Sequence, residues 1–264
     1  MDPLPNSAEL PLAEAIRLLG APGFEQALQQ LFRRLVAHDN LVILIYRQSG
    51  PPQILYTQTD LPQVFAQLDG TYTDGAYLLD PFYDLHLRRV PEGSYRLRDI
   101  APDAFQRSRY FLEYYDQTTL VDEVGFIAYP TPGVSLTLCL GRDKSTGQPF
   151  SARQLEACQR LAPVLTALAN RHWSGVTDRP GPADDTAEML IRAAWSTHAI
   201  RLSRRQAEVA MLILRGHSSV SVALRLGVSA QTVKVFRKQL YSRCSISSQA
   251  ELFAMMLPLL KGAL

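Results

Sequence analysis

The chain is electrically divided, and that division limits what it can fold into. From residue 199 onward ten Lys and Arg stand against only Glu208 and Glu251, a net of +8. Residues 1–198 carry 17 basic and 23 acidic groups, a net of −6. A short basic tail on an acidic body predicts two folding units, the second suited to a polyanion. The joint is also visible in composition. Residues 174–185, SGVTDRPGPADD, contain two Gly, two Pro and three Asp, the chemistry of a linker. We therefore read 1–173 as one domain, 174–198 as linker and connecting helix, and 199–264 as the basic module. A length of 264 residues with 47% hydrophobic content accommodates two such cores.

Several classes of function are not expected. The longest apolar run, LVILIY at 41–46, is far short of the ~20 residues of a membrane span. The opening MDPLPNSAEL shows no secretory pattern. Cys139, Cys158 and Cys244 form no Cys-x-x-Cys pair, so neither a disulfide framework nor a zinc site is expected, and a reducing cytoplasm fits. His86 with Asp80 and Asp84 has metal-binding residue types, but a run containing Asp80-Pro81 is not a clean helical i, i+4 site. There is no Gly-x-Ser-x-Gly, His-Glu-x-x-His or phosphate-cradling glycine loop. We expect no enzyme, no cofactor and no metal. An acidic cluster after the 41–46 strand, as a phosphorylated receiver would need, is also missing.

The basic module reads as helices separated by tight turns. Ser203 and Gln206 have the spacing of a capping box, and Gly216 stops the helix they open. A short helix over about 219–226 ends at Gly227, and Ser229 caps a third running to about residue 243. Ala223, Gly227 and Val233 supply a small residue at a helix crossing, a turn glycine and an aliphatic anchor, which a helix-turn-helix requires. In the third helix Val233, Phe236 and Leu240 are expected to face inward. Gln231, Lys234, Val235 and Lys238 then form the opposite face, flanked by Arg237 and Arg243, residue types suited to base edges and phosphates. An ordinary solvated basic face is the alternative that spacing alone leaves open.

The motifs L-S-x-R-Q-x-E-V at 202–209, R-G-H-S at 215–218, V-A-L-R-L-G-V-S at 222–229, T-V-K-V at 232–235 and S-S-Q-A-E-L at 247–252 resemble the LuxR-type helix-turn-helix of bacterial transcription factors. The resemblance covers about 201–257. It implies a four-helix module whose third helix enters the major groove of double-stranded DNA, with Lys234, Val235 and Lys238 facing bases and Thr232 touching the backbone. Two departures stand out. Ser219-Val220-Ser221 replaces the common Asn-Lys-Glu, and Phe236 replaces a His. The last helix begins with a second capping pattern, Ser248 to Glu251, and is apolar nearly all round. The resemblance implies a homodimer through it on a palindromic operator, with Leu252, Met255, Met256 and Leu259 as interface residues. Packing of this helix on the first domain of its own chain is the alternative.

Ahead of the linker the pattern is α+β. An amphipathic helix is expected over 23–37, strands over 41–46 and 53–57, a hairpin of 124–129 with 134–140, and a long helix capped by Ser151 with Pro163 at a bend. This order suits an antiparallel sheet flanked by helices, similar to GAF or PAS sensor domains. Residues 70–117 carry seven tyrosines, and buried tyrosines can line a small-molecule cavity while donating oriented hydrogen bonds. Tyr77–Pro81 is faintly similar to the Tyr…Asp-Pro segment of acyl-homoserine-lactone receptors, which implies Asp80 as a polar anchor. The pocket tryptophans of those receptors are absent, since Trp173 and Trp195 both flank the linker, so a ligand other than a homoserine lactone is expected. Tyr46, Tyr77, Asp80, Tyr83, Tyr110 and Tyr114 are the candidate lining. We thus expect a cytoplasmic, dimeric regulator in which a small-molecule effector controls DNA binding, with RNA polymerase a further partner. The alternative is an N-terminal domain that only dimerises or docks a protein.

Overall fold

The computed structural model describes residues 8–178 and 185–262, with side chains as far as 260. Residues 179–184 of the expected linker lie outside the described residues. The chain forms two compact units. The first gathers residues 1–64, 88–100 and 119–181, and the second gathers 65–87, 101–118 and 182–264. Most of the tyrosine-rich segment, residues 70–87 and 101–117, which chain order places among the N-terminal elements, thus belongs to the same unit as the basic helices.

The first unit is built on a five-stranded antiparallel sheet of order β2-β1-β5-β4-β3. The strands are β1 (Asn40–Tyr46), β2 (Gln53–Thr59), β3 (Gly93–Arg96), β4 (Leu120–Ala128) and β5 (Ser135–Asp143). Helices α1 (Glu9–Arg17) and α2 (Phe24–Leu35) precede the sheet. The second unit takes up α3 (Pro81–Arg88) almost entirely, the first holds α4 (Leu97–Ile100), and the second holds α5 (Arg109–Glu113). The long α6 (Ala152–His172) closes the first unit.

The strands exist because β-branched and aromatic residues alternate to fill two faces. Leu41, Ile43 and Ile45 of β1, Val124 and Phe126 of β4, and Leu136, Leu138 and Leu140 of β5 point to one face. There they form a core with Phe24, Leu28, Leu31 and Phe32 of α2 and with Cys158, Leu161 and Leu165 of α6. The alternate residues Val42, Leu44, Tyr46, Ile127 and Cys139 point to the other face and are buried as well. Both faces being apolar explains why 41–46 reads as an unbroken hydrophobic run. Helix α6 starts with the expected capping box between Ser151 and Gln154. It continues through Pro163, where the Thr166 hydroxyl donates to the carbonyl of Ala162 at 2.9 Å.

The central polar tie of this unit is Asp122. Its side chain is fully buried and accepts from Arg96 Nε and Nη2, the latter at 2.7 Å, and from the backbone N–H of Phe150 at 3.0 Å. It fixes the edge strand β3 and the approach to α6 to one point of β4. Removing one partner of such a pair leaves an uncompensated charge. Asp122→Ala should therefore lower the stability of the first unit by about 3 kcal/mol, read as an earlier sheet-associated transition in urea denaturation of the full chain.

Candidate ligand cage and nucleic-acid interface

The second unit contains α7 (Thr186–His198), α8 (Arg204–Leu214), α9 (Ser219–Leu226), α10 (Ala230–Cys244) and α11 (Gln249–Gly262). Each start is set by a side chain that satisfies an orphan amide. Asp185 accepts from Ala187 and Glu188 N–H, and Ser203 and Gln206 cap α8 reciprocally. Ser218 and Ser229 cap α9 and α10. At α11, Ser248 accepts from the N–H of Glu251, while the Glu251 carboxylate accepts from the Ser248 hydroxyl and from the N–H of Ser247. Gly227, with φ +64°, makes the turn between α9 and α10.

Helix α10 packs on α8 and α9 through Val233 and Leu240, which are buried, whereas Phe236, also expected inward, is half-buried. Gln231, Lys234, Val235 and Lys238 are exposed on the opposite side. Thr232 sits beside Ser229, hydroxyl to hydroxyl at 2.8 Å, and its N–H is held by that cap. The Arg237 guanidinium lies over the Tyr241 ring at 5.0 Å, and the exposed Arg243 donates to the Arg201 carbonyl. A short helix, a left-handed glycine turn and a second helix with a basic exposed face together make the helix-turn-helix of a DNA-binding protein.

Helix α11 packs on α7 and α8. Leu252, Met256 and Leu259 are buried within their own chain, and Met255 is half-buried. Much of the apolar excess expected to meet a second copy is therefore covered by α7, which lies outside the 199–264 module.

The tyrosine-rich segment closes around one carboxyl group. Asp80 caps α3, accepting from the N–H of Phe82 at 2.7 Å. It also accepts from the Tyr72 hydroxyl at 2.8 Å and from Tyr110. Tyr110 stacks on Tyr114 at 5.4 Å, and Tyr114 stacks on Tyr72 at 5.7 Å. Tyr77 meets Tyr83 edge-on at 4.9 Å. Of the six candidate lining residues, Tyr77, Asp80, Tyr83, Tyr110 and Tyr114 are thus brought together in this unit. Tyr46 is buried on β1 of the other unit. Tyr72 is not among the candidates, and its place on Asp80 is an approach between irregular turns that no periodicity announces. Burial pushes the Asp80 carboxyl up to about 6, against the hydrogen bonds of Tyr72, Phe82 and Tyr110. Among the described residues no group of three or more His, Cys, Asp or Glu could hold a metal ion, and His86 is buried beside Tyr83.

One turn beyond Asp80, Asp84 faces the end of α8. Arg215 is 8% exposed. Its Nε donates to the Leu78 carbonyl at 3.0 Å and its Nη1 to Asp84 at 3.4 Å. Arg225 of α9 reaches the same carboxylate at 3.1 Å. The Ser218 N–H donates to Asp103 at 2.9 Å, and the Ala104 N–H donates to the Gly216 carbonyl at 3.0 Å. Burial works against ionisation of Asp103, but hydrogen bonds from Ser218 and the nearby His217 outweigh it and hold the carboxyl below its usual range. His217 is pushed down to about 4 by burial and by Arg225, and its Nδ1 lies 2.7 Å from the Ser221 hydroxyl.

The fold therefore defines a helix-turn-helix DNA-binding protein with a separate antiparallel α+β unit. Residues 201–256 match the GerE family, bacterial regulatory proteins of the luxR family. An HTH-type transcriptional regulator from the exeN 3′ region of Aeromonas salmonicida is 30% identical over 187 residues, 67% of this chain and 93% of that one. The chain belongs to the LuxR family of bacterial transcription regulators. Among solved structures, the VqsR LBD domain of Pseudomonas aeruginosa is similar at 25% identity with a TM-score of 0.52, covering 64% of this chain and 98% of its own. SdiA of Escherichia coli aligns over 94% of this chain and 92% of its own at 16% identity and a TM-score of 0.39. No described helix is long and apolar enough to cross a membrane.

Two groups in the second unit titrate in opposition. Asp80, raised from 3.8 to about 6, favours the folded state below that range and loses this contribution as pH rises through about 6. His217, lowered from 6.5 to about 4, contributes stability at neutral pH that is lost as pH falls through that interval. Asp80→Asn removes only the first. Relative to the unsubstituted chain, the variant should gain on the order of 2 kcal/mol between pH 4 and pH 7, measured by urea denaturation at each pH.

Proposed function

We propose that the protein is a dimeric, cytoplasmic DNA-binding regulator whose operator affinity is set by a small molecule held at Asp80. The observation that carries the reading is the environment of that carboxylate. A carboxylate offers about four acceptor positions, and the described groups Tyr72, Tyr110 and Phe82 N–H use three. The remaining capacity suits an N–H or O–H donor of a ligand whose apolar part lies among the tyrosine rings. The similarity to the VqsR LBD domain supports the same reading. No pocket tryptophan accompanies the cage, and the effector we infer is an apolar molecule with a single amide or hydroxyl donor rather than a homoserine lactone.

On the DNA side, Lys234, Val235 and Lys238 would meet base edges, with Gln231 beside them, while Thr232, Arg237 and Arg243 would meet phosphates. Two modules on a palindromic operator would make contact through what α11 leaves uncovered, Met255 and Leu257, both half-buried. Val220 and Leu224, exposed one turn apart on α9, offer an apolar surface to a protein on the same DNA, for which RNA polymerase is the partner of choice.

Lys234→Ala should cost about 1–3 kcal/mol of operator affinity and relax preference at one position in each half-site. Arg237→Ala should weaken binding to all sequences alike and flatten its salt dependence by the equivalent of about one phosphate. Electrophoretic mobility shifts on selected and randomised duplexes separate the two. For the cage, a thermal-shift screen of the full chain with acyl amides and acyl glycerols should find compounds whose stabilisation disappears in Asp80→Ala. Such a compound must shift operator affinity as well, since a ligand acts only through its different affinity for two states. A binder that leaves operator affinity unchanged would reduce the unit to a docking or dimerisation platform.

A further inference from the structure

The bonds at the end of α8 are of an unusual kind for a DNA-binding module. Arg215 precedes the helix-turn-helix, Arg225 lies in the last turn of its first helix, and the Ser218 N–H opens that helix. Arginine side chains and helix N-termini are the groups by which such a motif grips the sugar-phosphate backbone. Here Asp84 faces both guanidiniums and Asp103 faces the amide. Arg215 Nη1, Arg225 and the Ser218 N–H, which could each meet a phosphate oxygen, are offered instead to carboxylate oxygens from the tyrosine-rich segment.

We propose that Asp84, seconded by Asp103, is a latch that withholds Arg215, Arg225 and the α9 N-terminus from DNA phosphates. The inference rests on reading the chain as a DNA-binding regulator, and it adds the means by which the tyrosine-rich segment restrains that activity. Asp84 lies on α3, the helix capped by Asp80, so the latch and the cage share one rigid element of eight residues. Two features make it releasable. The Arg215 guanidinium is buried, yet its Nη2 has no hydrogen-bond partner among the described residues. A buried donor without an acceptor is a cost borne by the docked state and relieved by water or by phosphate. Arg225 and Asp103 both keep solvent access, so their bonds can exchange without unfolding.

The test compares full-length protein with Asp84→Asn and Asp103→Asn in binding a random-sequence 30-base-pair duplex across a salt series. Every further phosphate that the protein neutralises steepens the dependence of log K on log salt by about 0.9. Asp103→Asn, at an exposed position that leaves the buried guanidinium paired, removes the negative charge beside the α9 N-terminus and should tighten binding about 3-fold, with little change in slope. Asp84→Asn should tighten it about 10-fold or more and steepen the slope by the equivalent of one to two phosphates. Circular dichroism accompanies both variants. If Asp84→Asn loses helix content, Asp103→Asn alone decides. Unchanged affinity in Asp103→Asn, or unchanged affinity and slope in a folded Asp84→Asn, overturns the latch while leaving the regulator reading intact. Failure of all three proteins to bind duplex DNA would overturn that reading and the latch with it.

Discussion

A guanidinium taken out of water must be met by a carbonyl or an anion, and the second unit of this protein is organised around that requirement at Arg215. The residue ends α8 inside the DNA-binding module, yet its partners are the Leu78 carbonyl and the Asp84 carboxylate, more than a hundred residues earlier. Once that cation is buried, other features follow. Arg225 shares the anion, Ala104 and Asp103 bond the backbone on either side of His217, and His217 loses its basicity. The net charge of +8 in the C-terminal residues is thus partly answered at close range by acidic groups of the tyrosine-rich segment.

The same segment does two physically distinct things with acidic residues one helical turn apart. Asp80 is enclosed by phenol groups that donate to it, and burial keeps its acidity weak. Asp84 faces two guanidiniums. Tyrosine suits the first task because its ring excludes water while its hydroxyl satisfies the carboxyl. The first unit is stabilised by a sheet with two apolar faces, aromatic pairs such as Phe32 with Phe126 at 5.4 Å, and buried carboxylates at Asp122, paired with Arg96, and at Asp143, which accepts from Asn40.

Much of this is legible in the sequence wherever the cause is local. Strand 41–46 announces itself by an unbroken apolar run and strand 134–140 by apolar residues at alternate positions, and the boxes at Ser151 and Ser203 by a three-residue spacing that the structure reproduces. The helix-turn-helix is readable because its determinants lie within some thirty residues. What cannot be read depends on pairing across long sequence separations. In sequence Arg215 is part of the motif that ends α8, Asp84 resembles a metal ligand, and Tyr72 is one tyrosine among seven. The apolar circumference of α11 suggests an external partner, but α7 covers much of it from within the chain. Charge and hydrophobicity specify that such groups need partners, not which ones.

Gly216 bears on how this family member can diverge. It sits between Arg215 and His217 with φ +96°, and a Cβ there would lie 2.9 Å from the Cα of Phe105, a backbone atom that cannot swing aside. The position is therefore under two selections at once, one from the turn that ends α8 and one from the neighbouring stretch of chain at 104–108. An alanine could satisfy neither cheaply. A lineage that lost the contact with 104–108 would be free of the second constraint but still held by the first. Drift should then appear first at Asp84 and Asp103, which pair with Arg215 and with the Ser218 N–H, while the glycine itself persists.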